Sequence, residues 1–210
     1  MNVKTLAASL TALGIAGLAN AQDYNGGGFA IPDNNGAGGA TSIVVADPGL
    51  VGNGMIVGIT FGPEHTWVGD LSAVITHNDG STSVSADLFR RVGQTSAGVG
   101  FGNSNDMNGT YRFSDSFATA FWNTPAVGGN VTAGDFRATT NLFNGAAGPV
   151  VNLNAIFAGR SLAGTWTLTV ADHAAGDTGS VTGWTLTVPA PGALALLGVA
   201  GLAGSRRRRA

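Results

Sequence analysis

Two short stretches near the end of the chain alternate strictly, and they limit the possible folds more than any other feature. In Thr165-Trp166-Thr167-Leu168-Thr169-Val170, threonine takes every second position and an apolar residue the positions between. Thr185-Leu186-Thr187-Val188, which follows Trp184, repeats the arrangement. A period of two with β-branched residues on one side describes a strand with one wet face and one buried face. Further β-type runs are Ser42–Ala46, Met55–Phe61, Leu71–Thr76, Val84–Arg90, Thr110–Phe113, Phe117–Trp122 and Val150–Phe157. With Thr165–Ala171 and Val181–Val188 they make nine expected strands. Asn78-Asp79-Gly80-Ser81 supplies a turn between two of them. No segment of the body holds a helical period over ten residues, so the expected fold is an all-β sandwich.

The 34 glycines fall largely between these runs. Residues 25–40, rich in Gly and Asn, carry too little apolar content to pack alone and read as a loop or flexible lead-in, with Ile31-Pro32-Asp33-Asn34 able to tie down the first strand. Both ends read as targeting segments. Lys4, the apolar run Leu6–Leu18 and Ala19-Asn20-Ala21 form a signal peptide over residues 1–21, cleaved before Gln22. At the other end, Pro189-Ala190-Pro191 precedes an uncharged span, Gly192–Gly204, and then Arg206, Arg207, Arg208 and Arg209. At about 1.5 Å per residue that span makes roughly 20 Å of helix, short of a hydrocarbon core of about 30 Å. Snorkelling arginines ease the mismatch and favour the cytoplasmic side. The expected layout is a leader (1–21), a lead-in (22–40), a sandwich (41–188) and a hydrophobic tail (189–210) that holds the protein at the membrane for a time.

The chain has ten basic and twelve acidic residues, but Lys4 and the tail arginines supply five of the ten. The body therefore sets five arginines and no lysine against twelve acids, eleven of them Asp, a net charge of about −7. Nucleic acid is excluded as a partner, because its binding needs a basic stripe to release counterions; divalent cations suit such a surface better. Absence of cysteine removes disulfides, thiolate metal sites and cysteine nucleophiles.

Catalysis finds little support. His65, His77 and His173 are the three histidines, and no Gly-x-Ser-x-Gly elbow accompanies them. Gly93-Gln94-Thr95-Ser96-Ala97-Gly98 resembles a protease serine segment only superficially. Asp177-Thr178-Gly179 matches the aspartic-protease triplet, but that chemistry needs two such triplets sharing a proton. Asp172 and Asp177 flank one short loop, so their carboxylates can converge on Ca²⁺; the alternative is that each caps its own loop backbone. Trp166 and Trp184 are expected in the core, whereas Trp67 and Trp122 either pack inside or line a sugar-binding face.

Three stretches resemble the P domain (P/Homo B domain) that follows the catalytic domain in proprotein convertases and many bacterial subtilisin-like proteases. They are Ile31-Pro32-Asp33-Asn34; Ile59–Leu71, centred on His65-Thr66-Trp67-Val68-Gly69-Asp70-Leu71; and the series Phe157-Ala158-Gly159, Gly164-Thr165-Trp166-Thr167-Leu168, Asp172–Gly179 and Trp184-Thr185-Leu186. The last is similar, in order, to the family's G-x-W-x-L, D, GDxG and W-x-L motifs. The resemblance implies a jelly-roll-like sandwich, no catalytic residues, and a place for Asp70 beside Asp172 and Asp177 in a Ca²⁺ site. Residues 94–150 depart from it. The tail resembles a PEP-CTERM sorting signal, whose motif here reads Val188-Pro189-Ala190-Pro191 with Ala190 where Glu is usual, and it implies processing by an exosortase-type enzyme. Three functions stay open: a surface-sorted interaction or structural module, an accessory of a subtilisin-like endopeptidase, and an extracellular carbohydrate-binding module.

Overall fold

Each alternating threonine run becomes an inner strand, and the two runs belong to opposite sheets. The computed structural model describes residues 21–96, 102–124, 126–127 and 129–189. In chain order the strands are β1 (Gln22–Ile31), β2 (Asn35–Val45), β3 (Ile56–His65), β4 (Leu71–Asn78), β5 (Ser83–Arg90), β6 (Asp106–Phe113), β7 (Ala126–Val127), β8 (Asn130–Val131), β9 (Gly134–Phe136), β10 (Gly164–Asp172) and β11 (Gly179–Val188). Among the described residues, one sheet runs β1-β11-β3-β6-β8-β7 with β9 also paired to β6, and the other runs β2-β10-β4-β5. The chain crosses between sheets after β1, β2, β3, β5, β9 and β10, giving the expected jelly-roll-like all-β sandwich. The described residues form one compact unit.

The inward positions of β10 and β11 fill the space between the sheets. Trp166, Leu168 and Val170 from one, and Val181, Trp184, Leu186 and Val188 from the other, are all buried. Both indoles satisfy their N–H groups, as buried tryptophans must. Trp166 Nε1 donates to the Leu162 carbonyl at 3.1 Å, and Trp184 Nε1 reaches across to the other sheet, donating to Thr41 Oγ1 at 2.9 Å. An aromatic group of Phe89, Tyr111, Phe113, Phe121 and Phe136 completes the far half of the core, with ring centroids from 4.8 to 6.5 Å apart. The expected turn after β4 is present: the Asp79 carboxylate accepts from the N–H groups of Ser81 and Thr82 at 2.9 and 2.7 Å.

Three local expectations are corrected. Residues 25–40 are no lead-in: they form most of β1 and half of β2. The glycines there relieve crowding rather than loosen the chain. A Cβ on Gly26 would lie 2.0 Å from Trp184 Nε1, and one on Gly39 would lie 2.2 Å from the Ala30 carbonyl oxygen. Val150–Phe157 is not a strand either, since Leu153–Phe157 forms a short helix, α1. Its free N–H groups are taken up by Asn152 Oδ1, which accepts from Ala155, and by the distant Asp115 carboxylate, which accepts from Leu153 and Asn154 at 3.1 and 2.7 Å. Phe117–Trp122 contributes only a bridge at Ala120 before a 3-10 turn, Phe121–Asn123.

The leader through Asn20 and the tail from Ala190, including Pro191 and Arg206–Arg209, lie outside the described residues. No helix among the described residues is long and apolar enough to cross a membrane.

The steric account of the Gly26-Gly27-Gly28 run separates its members. Gly26→Ala forces the Trp184 indole to move and is expected to lower stability by about 1–3 kcal/mol. Gly27→Ala meets nothing within 4 Å and stays within about 0.5 kcal/mol of the parent. Urea midpoints of the two variants measure the contrast; equal losses would contradict it.

Candidate functional site

At one end of the sandwich, polar side chains from four segments meet under the loop that joins β10 to β11. β10 ends on Asp172, which is fully buried. Its Oδ1 accepts from the Ala174 N–H at 3.0 Å, the expected loop cap, while its Oδ2 faces His65 Nε2 at 3.3 Å. His65 closes β3 and is itself fully buried; its Nδ1–H donates to the Thr66 carbonyl at 2.5 Å.

Between β3 and β4 the chain makes a 3-10 turn, Val68–Asp70, entered through Trp67 at a left-handed φ of 65°. The turn leaves Asp70 only 2% exposed, with an Oδ1 that has no hydrogen-bond donor. The Arg91 Nη2 lies 3.6 Å from that oxygen. Burial raises the Asp70 pKa to about 6; Arg91 opposes the rise, and the negative charges of Asp172 and Asp177 add to it.

Asp177, on the loop, is half-buried and accepts from Thr66 Oγ1 at 2.5 Å. The same loop is tied down twice more. The His173 N–H donates to the Asp70 carbonyl at 2.9 Å, and the Gly176 N–H donates to Asp33 Oδ1 at 3.1 Å. Asp33 lies in the Ile31-Pro32-Asp33-Asn34 turn, which therefore holds the loop as well as linking β1 to β2. Trp67, Asp70, Ala175 and Asp177 line a cavity of about 200 Å³ that opens here.

Asp70, Asp172 and Asp177, picked out in the sequence as one group, thus share one neighbourhood and influence one another electrostatically. Orphaned buried oxygens on Asp70 and Asp172 suit a hard cation. Among the described residues, however, no group of three or more His, Asp or Glu side chains is assembled as a ready-made metal centre. Sequence reasoning missed Arg91, whose place opposite Asp70 depends on β5 ending beside the 3-10 turn; no local pattern marks it.

The other sequence candidates lie apart or are enclosed. His77 stacks on Trp166 with centroids 4.2 Å apart, and burial pushes its pKa below the ordinary histidine value. Ser72 Oγ pairs with His173 Nε2 at 2.8 Å, the nearest approach to a nucleophile and base, but Ser72 is only 6% exposed and shut away from a substrate. Trp67 and Trp122 are half-buried, and Trp122 packs under Gly148. Val188 ends β11 and Pro189 follows it.

The fold and this site define a class: a two-sheet β-sandwich with a polar, loop-capped end and no accessible nucleophile–base pair among the described residues. Residues 145–188 match the family model of the proprotein convertase P-domain. That span covers the G-x-W-x-L, GDxG and W-x-L stretches, with Asp172 and Asp177 inside it, and supports a likeness to the P/Homo B domain. The stretches at 31–34 and 59–71 lie outside the match. No curated protein and no solved structure matches the chain.

Removing one member of a buried charge pair costs more than the pair contributes. Arg91→Met leaves Asp70 without its cation and is expected to lower stability by about 3 kcal/mol. Adding Asp70→Asn should recover much of that loss. Purely additive effects in this double-mutant cycle, followed by urea unfolding, would show that the two do not interact.

Proposed function

We propose that this chain is an exported, non-catalytic, P-domain-like module used in interaction or structure, with the acidic loop end as its working end. The observation that carries this reading is the contrast between two places. Ser72, which pairs with His173, is only 6% exposed, while Asp70 and the half-exposed Asp177 line an open cavity. Ca²⁺ is the inorganic ion proposed there, held by Asp70, Asp172 and Asp177; it would supply positive charge that Arg91 alone does not balance. The leader through Ala21 accounts for export. The tail, with Val188-Pro189-Ala190-Pro191 and Arg206–Arg209, accounts for transient anchoring at the cell envelope and for processing by an exosortase-type enzyme.

A second reading, favoured by the family match over 145–188, makes the module an accessory that stabilises or targets a separate subtilisin-like endopeptidase.

Two measurements on the body, residues 22–189, test these statements. It should leave casein uncut, and hydrolysis that Ser72→Ala abolishes would overturn the non-catalytic reading. Ca²⁺ at about a hundred times its Kd stabilises a native state by about 2.7 kcal/mol. For a domain of this size that is a rise of about 5–10 °C in Tm over a chelated sample, with none expected in Asp177→Asn. Identical midpoints with calcium and chelator would remove Ca²⁺ from the proposal.

A further inference from the structure

We infer that the cavity lined by Trp67, Asp70, Ala175 and Asp177 is a receptor for a basic side chain, foremost arginine, presented by a partner polypeptide. The inference rests on the reading of the acidic loop end as the working end, and it names the class of ligand.

Size is the first argument. At about 200 Å³ the cavity has room for a side-chain head and several waters, far more than a bare ion needs. Its lining is the second. One aromatic residue and two carboxylates from separate segments are the groups that organic cations select, through ring-face attraction and charge-assisted hydrogen bonds. A guanidinium suits them better than an ammonium because its planar fork serves two acceptors at once and sheds water more easily.

The third argument is charge. Asp70, Asp172 and Asp177 stand near a single arginine, Arg91. Asp70 is nearly fully buried, lines the cavity, and has an oxygen without a donor. Asp70 Oδ1 is turned to Arg91 and enclosed, so an incoming guanidinium pairs with Asp177, the more exposed carboxylate of the lining, and supplies the missing charge.

The walls are already fixed. Thr66 holds Asp177, the Asp70 carbonyl holds His173, and Asp33 holds Gly176, so little ordering remains to oppose binding. Access is open too. Ala175 and Gly176 are exposed, and β11 carries the chain away from the loop over ten residues. Pro189 therefore lies about 30 Å along the strand from Gly179.

The test is calorimetric titration of the body with the peptide Ac-Gly-Arg-Gly-NH₂. Ac-Gly-citrulline-Gly-NH₂, the same shape without the charge, serves as control, and CaCl₂ is titrated separately. The arginine peptide should bind one to one, at least about tenfold more tightly than the citrulline peptide, and weaken as salt is raised. Asp177→Asn, at a half-exposed position that leaves the fold intact, should weaken the arginine peptide by about tenfold. Asp23→Asn, on β1 and outside the cavity lining, should change nothing. Equal binding of the two peptides, no binding of either, an unaltered Kd in Asp177→Asn, or saturable Ca²⁺ binding without any for the arginine peptide would each overturn the inference. None of these results bears on casein hydrolysis, so failure here is distinct from failure of the non-catalytic reading.

Discussion

The structure depends on one continuous piece of chain, Gly164–Val188, being inner strand in both sheets. β10 lies between β2 and β4, and β11 lies between β1 and β3. Each therefore has its backbone groups paired on both sides, and each sends a tryptophan into the common core. Trp184 goes further, since its indole N–H bonds to Thr41 on the opposite sheet. With a strand committed to each sheet, the connection between them must cross one end of the sandwich. That crossing is the loop carrying His173, Ala175 and Asp177, immediately after the buried Asp172. The crossing brings Asp177 to Thr66 and leaves Asp172 beside His65.

This arrangement accounts for the burial of charge at that end. An unpaired buried carboxylate is costly, and the molecule distributes the cost. Asp172 gives one oxygen to a backbone N–H and sets the other, which has no hydrogen bond, against His65. Asp177 takes the Thr66 hydroxyl. Asp70 faces Arg91 at a distance too long for a hydrogen bond, and its burial raises its pKa. Asp70 and Asp177 line the opening, which is why the proposed chemistry there is binding. The family match covers β10, the loop and β11 together, the same unit on which the fold depends.

Much of this was legible in the residues. The alternation in Thr165–Val170 gives the strand, its buried face and the place of Trp166, because period and hydrophobicity agree. Asp172 and Asp177 were readable as one group because a short loop separates them. What was not legible depended on distant partners. β1 and β2 look like a linker because glycine usually signals freedom, whereas Gly26 and Gly39 make room for an indole and a carbonyl supplied by other strands. α1 resembles a strand because its run is short and apolar; part of its capping comes from Asp115, far away in sequence. Arg91 carries no local mark at all, and its pairing with Asp70 exists only once β5 has docked beside the turn.

Native-state hydrogen exchange on residues 22–189 tests the central claim most directly. If β10 and β11 together hold both sheets, the amides of Thr167, Leu168, Thr185 and Leu186 open only with the whole domain, and their exchange free energies equal the global unfolding free energy from denaturant. Exchange of either strand at a clearly lower free energy than the other, or than the amides of β6, would mean that the two sheets are held separately and would contradict the account.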